Sequence, residues 1–146
     1  MTKTILVVDD DPDFVELAKV LLRDSYAVEG CTNSRDALPR IQVVHPVLVI
    51  LDLNMPPPSG WELLRTLKAD PSLARLPILV VSAGGVEVSL DETLISKEPG
   101  RLEVLAKPFE IEDLAGKVRS LLQPESTETP DDELSEGQSI RVDIAR

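Results

Sequence analysis

Cysteine is nearly missing from this chain: Cys31 stands alone among 146 residues. That excludes an internal disulfide and, with no charged-then-apolar leader opening the chain, points to a reducing, cytoplasmic compartment. Long hydrophobic runs are missing too. Even the run around Ile50 falls far short of the roughly 20 residues that cross a bilayer, so a membrane span is excluded. Basic residues are in deficit, 15 against 26 acidic, for a formal net charge of -11. Such a chain is repelled by phosphate backbones and anionic lipid, so neither nucleic acid nor membrane is expected as a partner. No internal repeat is present. A chain of this length suits one domain that buries roughly 68% of its unfolded surface and needs no metal to fold.

What is present is a series of short apolar runs, each ending on a polar group. Val47-Leu48-Val49-Ile50-Leu51 is unbroken and β-branched, and it stops at Asp52; a run of that kind reads as a strand covered on both faces. Thr4-Ile5-Leu6-Val7-Val8 is a second, ending on Asp9, Asp10 and Asp11. Asp11 and Pro12 then suit the cap and first turn of a helix, along which Phe14, Leu17, Ala18, Leu21 and Leu22 make one apolar stripe. Residues 26–30 read as a short strand. Ser34 is expected to cap a helix over 35–42, with Pro39 kinking it or ending it early.

After Asp52, Met55-Pro56-Pro57-Pro58-Ser59-Gly60 forms a rigid loop, and 61–69 returns to helical spacing until Pro71. Residues 77–82 form a strand ending on Ser82, followed by Ala83-Gly84-Gly85. Residues 86–98 are placed as a helix despite their β-branched and serine content. A last strand over 102–106 ends on Lys107-Pro108, and a final amphipathic helix runs through Ile111, Leu114, Val118 and Leu121. Five strands alternating with five helices predict an α/β, doubly wound parallel sheet with helices on both faces. Residues 1–122 form this domain. Residues 123–146 are acidic and poor in apolar groups, as expected for a disordered tail, although Ile140-Arg141-Val142-Asp143-Ile144 leaves a short strand or binding motif open.

In an open parallel sheet the carboxyl ends of the strands share one edge, where ligands collect. That edge would hold Asp9, Asp10, Asp52, Ser82 and Lys107. Carboxylates about 4 Å apart repel by about 4 kcal/mol at an effective dielectric near 20, so the cluster calls for a cation. Oxygen-only ligands suit magnesium, which completes its shell with water and phosphate oxygens. A metal, a lysine and a hydroxyl around one aspartate are what an acyl phosphate on Asp52 requires. Each piece alone has an ordinary explanation: a solvated acidic turn, a loop serine, a lysine-proline turn. Their conjunction at four strand ends is what carries weight.

The pattern Ile5-Leu6-Val7-Val8-Asp9-Asp10, then Leu51-Asp52-Leu53-Asn54-Met55-Pro56 with Gly60, then Val81-Ser82-Ala83, then Ala106-Lys107-Pro108-Phe109 resembles the receiver domain of two-component response regulators over residues 1–122. The resemblance implies a flavodoxin-like sheet of strand order 2-1-3-4-5. It implies that Asp52 is the phosphoacceptor, and that Asp9, Asp10, Asp52 and the backbone carbonyl of Asn54 bind Mg2+. Ser82 and Ala83 would contact the phosphoryl group, Lys107 would pair with one of its oxygens, and the Lys107-Pro108 bond would be cis. A sensor histidine kinase or histidine phosphotransfer protein would supply phosphate. No separate substrate would be turned over. With no second globular domain in view, the expectation is a stand-alone receiver, similar to a chemotaxis regulator, acting on an unidentified protein target.

Two features depart from the family. Val104 occupies the position, three residues before the lysine, where a Tyr or Phe is usual, and the segment between Ser82 and Gly100 is slightly long. Both bear on output rather than on phosphorylation. Other classes fit less well. Asp9-x-Asp11 resembles the nucleophile motif of haloacid-dehalogenase-like phosphatases, but Asp13 stands where Thr or Val belongs and no acidic pair follows Lys107 in the folded part. A flavodoxin would need a serine- and threonine-rich loop after the first strand. A phosphate-independent interaction module with this fold is the third alternative.

Overall fold

The computed structural model describes residues 3–82 and 102–123. Ala83, the helix expected over 86–98 and the tail from residue 124 lie outside the described residues. Within them the chain runs β1 (Thr4–Val8), α1 (Pro12–Leu22), β2 (Ala27–Cys31), α2 (Ala37–Val44), β3 (Leu48–Asp52), α3 (Gly60–Ala69), β4 (Ile78–Ser82), β5 (Leu102–Ala106) and α4 (Ile111–Leu122). The strands make one parallel sheet of order β2-β1-β3-β4-β5, the doubly wound arrangement expected.

Burial explains the strand sequences. Every residue of β3 and β4 is buried, because helices cover both faces of the sheet centre; a polar residue there would lose its water without a partner. The edge strands β2 and β5 are only partly buried and admit Glu29 and Glu103. One apolar layer, built on Leu6, Val49, Leu51 and Val80, packs against Ile41 of α2 and Leu64 of α3. The other, built on Ile5, Ile50, Leu79 and Val81, packs against Ala18 of α1 and Leu114 of α4. α1 can lie close to β2 because Gly30 faces it: a Cβ there would sit 2.4 Å from Val15 Cγ1.

The segment after β2 differs from the sequence expectation. Asn33, not Ser34, caps it, its side chain accepting the Arg35 N–H at 3.0 Å. A single 3-10 turn over Ser34–Asp36 precedes α2. Pro39 does not end the helix, which continues to Val44. Pro39 is the third residue of α2, and the first four amides of a helix have no intrahelical partner, so its missing N–H costs nothing there. The helix closes on His45, which takes φ 53° and donates its N–H to Ile41 O at 2.9 Å. A non-glycine residue in the left-handed region costs roughly 1 kcal/mol. His45→Gly is therefore expected to stabilise the fold by about 0.5–1 kcal/mol in urea unfolding; an unchanged or lower stability would show that the imidazole's own contacts outweigh the backbone strain.

Candidate functional site

Strand register brings the polar ends together. Val8 lies beside Leu51, Asp52 beside Val81, and Ser82 beside Ala106, so the residues that follow each strand share one edge. The turn after β1 is set by its own carboxylates. Asp9 Oδ1 accepts the Asp11 N–H at 2.9 Å, and Asp11 in turn caps α1 by accepting the Asp13 N–H at 2.9 Å. Pro12 occupies the first helical position, where its lack of a donor is harmless. The result separates the three aspartates: Asp9 is buried inward, Asp10 is exposed, and Asp11 is spent on the helix.

Asp52 is buried, 6% exposed, and its Oδ1 accepts the Asn54 N–H at 3.0 Å. Carboxylate oxygens of Asp9, Asp10 and Asp52 all lie within 4.8 Å of one another. At that separation the two buried members repel by roughly 3.5 kcal/mol at an effective dielectric near 20. Burial pushes the Asp9 carboxyl above the ordinary carboxylate range, and the charge of Asp52 adds to this; hydrogen bonds from the Asp11 amide and the Lys107 ammonium pull it down. Lys107 Nζ lies 3.0 Å from Asp9 Oδ2 and is a cation that the described residues bring to the cluster. Three carboxylates and no nitrogen or sulfur ligand form a donor set that fits a hard divalent ion.

Ser82 is fully buried, and its hydroxyl accepts from Asn54 Nδ2 at 3.2 Å. The Lys107 amide donates to Ser82 O at 2.7 Å, tying the ends of β4 and β5 to each other. The Lys107-Pro108 peptide is cis, as the resemblance implied, and so is Pro57-Pro58. Asp9, Asp10, Asp52, Asn54, Ser82 and Lys107 thus meet at one edge; Ala83 is outside the described residues. Val104 is half-buried and packs with Leu102 against the layer that includes Val80.

Two residues at this edge escaped the sequence reading. The Ser34 hydroxyl donates to Pro56 O at 3.2 Å, anchoring the loop after Asp52 to the turn after β2. Phe14, read as part of a core stripe, has the Lys107 ammonium 4.6 Å from its ring centroid. Neither contact has a local sequence signal, since both partners are remote in the chain.

The model of the response regulator receiver domain matches residues 5–119 of the chain. This chain belongs to the response regulator receiver family. Curated relatives of this receiver include the response regulator MprA of Mycolicibacterium vanbaalenii, 36% identical over 141 residues, 96% of this chain and 58% of the relative. The DNA-binding response regulator MtrA of Mycolicibacterium smegmatis is 30% identical over 145 residues, 99% of this chain and 60% of the relative. The receiver therefore spans about three-fifths of the length of such relatives. Among solved structures, the Vibrio cholerae chemotaxis protein CheY4 superposes with a TM-score of 0.70 at 28% identity, covering 84% of this chain and 100% of that one. The signal receiver domain from Bermanella marisrubri gives 0.66 at 31% identity, covering 84% and 100%. The receiver is thus a component of two-component signalling. Among the described residues no helix is long and apolar enough to cross a membrane.

Proposed function

We propose that this receiver accepts a phosphoryl group on Asp52 from the phosphohistidine of a sensor histidine kinase or histidine phosphotransfer protein, with Mg2+ held by Asp9, Asp10, Asp52 and the backbone carbonyl of Asn54. The observation that carries this reading is the triad of carboxylates within 4.8 Å, flanked by Lys107 and the buried Ser82 hydroxyl. The Asn54 amide holds Asp52 by Oδ1 and leaves the second oxygen as nucleophile. That oxygen attacks phosphorus, the new P–O bond forms as the P–N bond to the donor imidazole breaks, and the imidazole leaves with the bonding pair. Lys107 offsets charge on a phosphoryl oxygen, and the Ser82 hydroxyl donates to another. Bound Mg2+ supplies positive charge against the phosphoryl oxygens. Asp52 is loaded and unloaded within the chain, so no separate substrate is turned over. With a formal net charge of -11 the chain has no electrostatic attraction to a phosphate backbone, and output through contact with a protein target follows.

The division of labour among the aspartates supplies the test. Asp10→Ala is expected to fold normally, because its exposed side chain holds no part of the turn, yet to weaken Mg2+ binding at least roughly 10- to 100-fold, the loss that even outer-shell changes produce. Beryllofluoride, a mimic of the acyl phosphate, should then fail to bind at moderate Mg2+. Asp11→Ala is expected to lose about 1 kcal/mol of stability with its helix cap while keeping Mg2+ affinity. Calorimetric titration and urea unfolding of both variants decide the matter. Metal binding that survives Asp10→Ala and disappears in Asp11→Ala would refute the assignment.

A further inference from the structure

The Lys107 ammonium sits between two unlike partners. Asp9 Oδ2 lies 3.0 Å away, and the centroid of the Phe14 ring 4.6 Å away. The ring is itself fixed: Phe14 is 7% exposed and meets Phe109 edge to face, centroids 6.0 Å apart and planes at 86°. Phe109 lies two residues beyond Lys107, and Phe14 occupies the first turn of α1, directly after the acidic turn. The same β1–α1 junction therefore presents both partners to Lys107. We infer that Phe14 is a positioning residue, whose ring face holds the Lys107 ammonium at the site by a cation–π contact. This rests on the assignment of Lys107 to the phosphoryl group made above.

The physical case turns on what happens to Asp9. A lysine has a flexible four-carbon stem and a compact charge, so the carboxylate cluster alone would draw it into the place that a metal ion needs. Asp9 is claimed twice, as partner of Lys107 and as a metal ligand. Once its oxygens face a divalent cation, the ion pair is weakened and the ring remains. An aromatic face attracts the ammonium through its quadrupole and adds no charge to an edge already crowded with carboxylates. A leucine could fill the same space among Val15, Ala18 and Leu114 but has no such face. The identity of residue 14 is thereby separable from its packing.

The test uses the full chain, beryllofluoride and saturating Mg2+. Phe14→Leu is expected to weaken beryllofluoride about 3- to 10-fold at saturating Mg2+, within the range of a partly desolvated cation–π contact. Phe14→Tyr, which keeps the ring, should restore binding to within about two-fold. In a Lys107→Ala background Phe14→Leu should cause no further loss, since its effect runs through the ammonium. Equal losses from Phe14→Leu with and without Lys107, or Leu and Tyr variants that both bind like the parent, would make Phe14 a packing residue and overturn the inference. A second readout needs no variant: in the parent protein the ε-protons of Lys107 should be shifted upfield by the ring, and an unshifted Lys107 resonance also overturns it. Beryllofluoride binding unaffected by Lys107→Ala would instead defeat the phosphoryl role of Lys107, while the ring contact would still be read from that resonance.

Discussion

Incubated with Mg2+ and a small acyl-phosphate donor, the receiver should take up one labile phosphoryl group, and Asp52→Asn is expected to take up none. The substitution is close to isosteric, and its local geometry survives: the amide oxygen of an asparagine can go on accepting the Asn54 N–H that Asp52 Oδ1 now accepts at 3.0 Å. It also removes one of two buried charges that repel each other. The variant should therefore be at least as stable as the parent in thermal unfolding, so that lost label cannot be ascribed to lost fold. What disappears is the nucleophile, because an amide nitrogen has its lone pair delocalised into the carbonyl. Intact-mass spectrometry under mild conditions reads the result directly. A phosphoryl group that persists in Asp52→Asn would place the acceptor elsewhere and defeat the central assignment.

The second large effect is expected at a residue with no reactive atom. A Cβ on Gly60 would lie 2.0 Å from Asp52 O, 2.5 Å from Leu53 Cα and 2.8 Å from Asp52 C, so the first residue of α3 sits against the backbone of Asp52 itself. Its N–H also donates to Leu53 O at 3.1 Å. These neighbours are main chain, which cannot rotate away as a side chain would. Gly60→Ala should thus cost roughly 3 kcal/mol, a fall of roughly 10 °C in thermal midpoint for a domain of this size, and it should slow phosphorylation by shifting Asp52. Gly116→Ala provides the contrast. Its Cβ would meet only Arg119 Nη2 at 4.0 Å, and in the middle of α4 alanine is the better helix former by about 0.5–1 kcal/mol. If both substitutions stabilised the protein, the close approach of α3 to β3 would be wrong.

Much of this molecule is legible in one dimension. The strand runs ending at Val8, Asp52 and Ser82 are continuous and apolar because both faces of the sheet centre are covered, a condition that leaves its mark on every residue of the strand. The chemistry of the edge is legible for a related reason: parallel strands must all deliver their next residue to the same side, so Asp9, Asp52, Ser82 and Lys107 converge once the strands are recognised. The helix after the proline-rich loop is legible from residue 61 by its spacing, while the reciprocal hydrogen bonds of Ser59 and Glu62 that close its first turn start it at Gly60.

Other features were decided only in three dimensions. The sequence placed Ser34 as a helix cap, yet its hydroxyl is drawn to Pro56, 22 residues away, and Asn33 takes the cap instead. Pro39 looked like a helix breaker because the start of α2 was placed too early; where the first turn falls depends on the preceding 3-10 turn. Phe14 carries the same apolar signature as Ala18 or Leu22, and only the return of the chain 98 residues beyond Asp9 sets Lys107 against its carboxylate and over the Phe14 ring. The sequence by itself determined the alternation of elements, the covered sheet and the identity of the groups at its edge, since these follow from local burial and chain direction. The tertiary structure alone decided which of those groups touch, because contact between residues distant along the chain depends on register and packing that no local pattern encodes.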